Sequence, residues 1–261
     1  MSWELHLLGR WQLTRRGTSQ SVGSRQQRVI AALALLGPRP RTYIAGLLWP
    51  ESSEHQAASS LRVAVFKIRH QLPGLLAETT DPLSLAENVN VDLDRLRDAV
   101  DSAVTGAEPA PGLTDLLYSA ELLPGWYDDW LLFEQERLRQ LRIAALESMA
   151  RRHLGENRPE AAVAAAMSAA AIEPLRESAQ ALVIRGQMSA GNGAGARRTY
   201  EDFRRRLAEE MGIEPSTRLE RLVTDEQLGN GRTLAASGPA AVTTMYRQPQ
   251  QAMYRQPQKE S

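Results

Sequence analysis

Cysteine is absent from the 261 residues, which excludes disulfides and thiolate metal sites. Histidine is scarce: His6, His55, His70 and His153 are the four, and none pairs with another at ligand spacing. Aromatic residues make up 5% of the chain, and of 31 basic residues only Lys67 and Lys259 are lysine. The skew towards arginine reads as the coding habit of a G+C-rich genome. No apolar run approaches the roughly 18 residues of a membrane span, so no membrane partner is expected. The opening MSWELHLL lacks the basic region, apolar run and small-residue cleavage site of a signal peptide. A cytoplasmic protein is the expectation.

What is present is an ordinary globular balance, 43% hydrophobic and 24% charged, with enough alanine and leucine to favour helix. The formal net charge of zero hides a segregation. Residues 1–90 carry ten Lys/Arg against six Asp/Glu, residues 91–150 five against twelve, and residues 151–230 twelve of each. A basic segment followed by an acidic one points to separate jobs.

Residues 3–8 and 11–14 alternate like a β-hairpin, and Arg15-Arg16-Gly17 makes a turn. Helical periodicity starts near Ser24 and runs to a C-capping Gly37. Pro38 and Pro40 break the chain, Thr42 is placed to cap a short helix, and Pro50 stops it. Ser52 or Ser53 then starts a longer helix that ends before Pro73-Gly74. Residues 75–86 read as two short apolar strands around Thr80-Asp81-Pro82. Two strands, three helices and a hairpin outline a winged helix over residues 1–90.

From Val91 the pattern is almost wholly helical, with a break at 105–112 and a turn at 124–130. GENRPEAAVAAAMSAAAIEP (155–174) resembles GNGAGARRTYEDFRRRLAEEMGIEP (191–215), and each copy closes on Ile-Glu-Pro. A period near 34 with alternating helix pairs is the mark of tetratricopeptide-like stacking. The pairs are expected at 134–154 with 159–172 and at 175–189 with 194–211, followed by a capping helix at 216–228. The fold class is therefore mainly α: an N-terminal winged helix-turn-helix, then an all-α tetratricopeptide-like repeat domain over 91–228. The remainder, 229–261, carries MYRQPQ twice and is expected to be a disordered, low-complexity tail.

The stretch SSLRVAVFKIRHQL (59–72) stands out. At 100° per residue, Leu61, Val65, Ile68 and Leu72 form one stripe, which should face the core. Ser59, Val63, Phe66 and His70 fall opposite, with Lys67 on one shoulder and Arg62 and Arg69 on the other. No acidic residue interrupts them. Such a face offers cations to phosphates and guanine edges, and apolar groups to thymine methyls. A plainer reading packs Val63 and Phe66 on the neighbouring domain and leaves the cations solvated. The short helix before it, with Arg39, Arg41 and Thr42 at its start, favours DNA, because a helix N-terminus offers free N–H groups to a phosphate.

Several motifs here resemble the Streptomyces antibiotic regulatory protein (SARP) family. They are Ala45-Gly46-Leu47-Leu48-Trp49-Pro50, Ala58-Ser59-Ser60-Leu61-Arg62, Phe66-Lys67-Ile68-Arg69 and Val91-Asp92-Leu93-Asp94. Leu123-Pro124-Gly125-Trp126-Tyr127-Asp128-Asp129-Trp130, Glu173-Pro174-Leu175-Arg176-Glu177 and Glu210-Met211-Gly212-Ile213-Glu214-Pro215 continue the series, and the resemblance covers about residues 3–225. It implies an OmpR-type winged helix joined to a bacterial transcriptional activation domain. It further implies a pathway-specific activator of secondary metabolism (antibiotic biosynthesis), nucleoid-associated, that binds direct repeats in double-stranded DNA upstream of promoters. RNA polymerase, through its sigma factor and core subunits, and a second copy on DNA are the implied partners. Arg41, Thr42, Arg62, Val63, Phe66, Lys67, Arg69 and His70 are the candidate DNA-binding residues, with Thr79 and Thr80 as candidate wing contacts. Where the family's wing carries a Gly-Tyr pair, this chain has Pro82-Leu83-Ser84-Leu85 and no cation. The nucleotide-binding and sensor domains of larger relatives are not found, as in the small form of the family.

Other signals point nowhere in particular. GNGAGARRT (191–199) lacks the Gly-Lys-Ser/Thr of a P-loop and follows a helix. Tyr127-Asp128-Asp129 with Glu134 and Glu136 is an acidic cluster of the kind usually found on a solvated face, and Trp126 and Trp130 are expected in the core. His153 has no nucleophile near it in sequence. No catalytic residue, cofactor or metal is expected, so a non-enzyme is. A helical-repeat adaptor whose basic domain grips an acidic protein surface is the alternative.

Overall fold

In the computed structural model residues 2–104 and 111–224 are described. The MYRQPQ tail and most of the break expected at 105–112 lie outside the described residues. Strands β1 (Trp3–His6) and β2 (Gln12–Arg15) form the expected antiparallel hairpin, with Leu5 opposite Leu13. Arg16 and Gly17 both take positive φ, 53° and 77°, the conformation that lets a two-residue loop follow strand twist. The chain therefore turns back at once into a third strand, β3 (Thr18–Ser19). A fourth, β4 (Val89–Val91), lies parallel to β1 on its other side and gives the sheet order β3-β2-β1-β4. Helix therefore begins at Asp92 and not at Val91.

Helix α1 (Ser24–Leu36) closes on Gly37 at φ 72°, whose N–H donates to the Leu33 carbonyl. Helix α2 (Arg41–Leu48) departs from expectation at its start. Pro40, not Thr42, is the N-cap, and Thr42 is exposed inside the first turn. Asp81 does the capping from 40 residues away: its Oδ1 accepts the Arg41 N–H at 3.1 Å. Helix α3 (Glu54–Gln71) opens with a full capping box, Ser53 and Gln56 each accepting the other's backbone N–H. The strands expected at 75–86 shrink to one bridge between Leu76 and Leu85, because Leu83 pairs with Arg39 instead. The Arg39 N–H to Leu83 carbonyl bond is 3.0 Å and its reciprocal 2.8 Å. Pro82 beside it has no N–H to extend a ladder.

Beyond β4 the chain is helical: α4 (Asp92–Val104), α5 (Leu113–Ser119), α6 (Asp129–Gly155), α7 (Pro159–Ile172), α8 (Glu177–Ser189), α9 (Gly193–Met211) and α10 (Thr217–Thr224). Helices α6 to α9 pack in sequence on one another, as the repeat requires. In the glycine-rich turn Asn192 caps α9 by accepting the Gly195 N–H at 2.9 Å. Glycine matters most at Gly186, where α8 crosses α7. A Cβ there would sit 2.6 Å from Val163 Cγ2 and 3.3 Å from the Val163 nitrogen. Gly186→Ala is expected to push the helices apart and cost about 1–3 kcal/mol, measured by urea unfolding against the parent chain.

One hydrophobic core runs from Trp3 in the sheet to Val183 in α8, and Trp126 and Trp130 pack against it. The described residues accordingly fall in a single compact unit, Met1–Glu226. The two halves are stitched by backbone. Asp92 accepts the N–H groups of Leu7 and Leu8 at 3.0–3.1 Å. Leu123 N–H donates to the Leu7 carbonyl at 2.8 Å, and Gly9 N–H to the Glu121 carbonyl at 2.7 Å. Arg28 on α1 forms an ion pair with Asp128 at the start of α6. In the acidic cluster, Glu134 pairs with Arg137 and Glu136 with Arg139.

Candidate nucleic-acid interface

Helices α2 and α3 with the five-residue turn between them form a helix-turn-helix. Ala57, Leu61, Ala64, Val65 and Ile68 seat α3 in the core, with Leu72 buried behind them. The opposite face is bare. Phe66 is 68% exposed and Val63 51%, so neither packs on the helical half. His70 lies parallel to the Phe66 ring, centroids 6.1 Å apart and planes 3° from parallel, one turn further along the helix. This flat apolar and aromatic ledge is flanked by exposed Arg62 and Lys67. Among the described residues neither cation has a hydrogen bond or ion pair, so both are available to an anion.

The other two cations of the expected site are engaged. Arg41 Nε donates to the Thr80 carbonyl at 2.7 Å. Arg69 Nη2 donates to the carbonyls of Ala77 and Thr79 at 3.3 and 3.2 Å. Both guanidiniums thus brace the wing, and Thr79 and Thr80 contribute backbone acceptors to that brace. The α2 N-terminus is also closed to a phosphate at Arg41, whose N–H is given to Asp81. Exposed Glu78 and Asp81 at the wing tip add negative charge. Sequence spacing could not reveal these pairings, because Arg41 and Thr80 are 39 residues apart.

Residues 91–225 match the family model described as "BTAD: Bacterial transcriptional activator domain". The chain belongs to this family. It is 30% identical over 236 residues to the regulatory protein AfsR of Streptomyces coelicolor, covering 83% of this chain and 23% of that protein. AfsR of Streptomyces griseus is 31% identical over 220 residues, 77% of this chain and 22% of that one. The chain thus spans less than a quarter of the length of these relatives. The solved structure of Mycobacterium tuberculosis EmbR in complex with a low-affinity phosphopeptide is similar in fold, with a TM-score of 0.64 at 21% identity over 88% of this chain and 66% of that one. This bacterial transcriptional activator domain protein is mainly helical with a small N-terminal sheet. No helix among the described residues is long and apolar enough to cross a membrane.

Proposed function

We propose that the protein is a sequence-specific DNA-binding activator in which residues 1–90 read DNA and residues 91–228 hold partners. The observation that carries this reading is the α3 face, where Arg62 and Lys67 flank the exposed Val63, Phe66 and His70. Unpaired cations beside apolar groups suit a groove whose walls are phosphates and whose floor presents guanine acceptors and thymine methyls. The capping box and buried stripe hold α3 as a rigid probe, which base readout needs. Direct repeats upstream of a promoter are the proposed target, bound by two copies, with RNA polymerase engaged through its sigma factor and core subunits. A pathway-specific role in secondary metabolism and nucleoid association follow from the same reading.

Footprinting of the full chain on promoter DNA carrying direct repeats, at several stated salt concentrations, tests it. Protection of both repeats is expected, weakening steeply with salt as counterions are released on binding. Salt-insensitive binding without sequence preference would overturn it and leave the adaptor reading.

A further inference from the structure

Three arginines from three helices converge on one cavity in the helical half. Arg151 on α6, Arg185 on α8 and Arg218 on α10 line a space of about 280 Å³, together with Leu182 and Leu219. The cavity's acid, Glu177, is occupied. Its carboxylate accepts the Ser216 N–H at 3.0 Å and the Ser216 hydroxyl. Arg151 is paired, its Nη2 lying 2.7 Å from buried Glu147. Among the described residues Arg185 and Arg218 have neither a carboxylate partner nor a hydrogen bond. Desolvation first, and then the charges of Arg218 and Arg151, pull the Arg185 guanidinium below its ordinary pKa. Like charges gathered at a concavity repel one another and attract a counter-ion.

We propose that this cavity binds a small molecule carrying a phosphate monoester on an apolar body. Arg185 and Arg218 supply two unpaired guanidiniums, which match the several oxygens of a phosphate better than the two of a carboxylate. A guanidinium fork fits phosphate oxygens in pairs, and Arg151 adds a third donor at the rim. Leu182 and Leu219 cover the apolar part. The occupant is a small molecule and not a peptide, because a concavity of about 280 Å³ between three helices suits a single compact ligand. The inference concerns the helical half alone and holds whether or not α3 reads DNA.

Calorimetric titration of the full chain with phenyl phosphate tests it, with benzoate, inorganic phosphate and a phosphoserine peptide as comparisons. Saturable one-to-one binding is expected, tightest for phenyl phosphate. Arg185→Gln and Arg218→Gln should each weaken it by about tenfold or more. Without ligand, Arg185→Gln should melt no lower than the parent chain, because it removes a charge crowded by two others. A purely structural role for Arg185 would lower that melting temperature. No saturable binding, or unchanged affinity in both folded variants, overturns the site. Equal binding of benzoate overturns the phosphate assignment, and tighter binding of the peptide overturns the small-molecule one.

Discussion

Glu147→Ala is expected to lose about 3 kcal/mol of stability, the lower end for breaking a buried ion pair. The Glu147 side chain is 4% exposed. Its Oε1 accepts from Arg176 Nε at 2.7 Å and from the Ser178 hydroxyl at 2.5 Å, and its Oε2 accepts from Arg151 at 2.7 Å. Alanine strands these three donors unequally. Arg151, 54% exposed, can turn to water. Arg176, 29% exposed, keeps Gln140 Oε1 at 3.0 Å and Glu173 at 3.5 Å, which is why the lower end applies. Ser178 loses its acceptor outright. The ties broken join α6 to the start of α8, so the loss should appear in global unfolding, as a fall of roughly 6–12 °C in Tm. Glu147→Gln keeps an acceptor for Ser178 and should lose less. Equal losses in the two variants would mean that the carboxylate charge, and not packing or the acceptor that glutamine keeps, holds this joint.

The double variant Arg62→Ala, Lys67→Ala should flatten the dependence of log affinity on log salt by roughly 1.8 units, about 0.9 for each phosphate contact removed. If either side chain reads a base edge instead, discrimination at that position falls by about 1–3 kcal/mol and the slope changes less. Both outcomes are read from the same salt series on cognate and substituted DNA. Arg41→Ala and Arg69→Ala supply the contrast. Their guanidiniums hold the carbonyls of Ala77, Thr79 and Thr80, so binding should weaken through a loosened wing with little change in slope. An unchanged salt slope together with unchanged discrimination in the double variant would remove α3 from the interface.

The orientation of α3 was legible because helical periodicity is local. Leu61, Val65, Ile68 and Leu72 recur at that spacing, and all four are buried. Ser53 was legible too, because its capping partner Gln56 is three residues away. The misreadings share the opposite cause. Thr42 looks like a cap in sequence, but Asp81 supplies the acceptor from across the wing. Arg41 and Arg69 look like free cations until the wing folds back over them. Strand β4, three residues long, is too short for alternation to show. Asp92, part of a recognised motif, serves Leu7 and Leu8 some 85 residues away. In the helical half the repeat announced α6 to α9, because stacked helix pairs depend on neighbours. The arginine cavity was hidden, because Arg151, Arg185 and Arg218 come together only when α6, α8 and α10 do.

The seam between the sheet and the helical half has a mechanical consequence. Backbone bonds at Leu7, Leu8, Gly9 and Leu123, the Arg28–Asp128 pair and a continuous core leave no hinge between α3 and α6. A protein that docks α3 in a groove then carries whatever its helical half grips at a fixed azimuth around the DNA axis. The double helix turns once every 10–10.5 base pairs or so. Helical phase, more than distance along the duplex, would therefore decide which face of the DNA that partner meets.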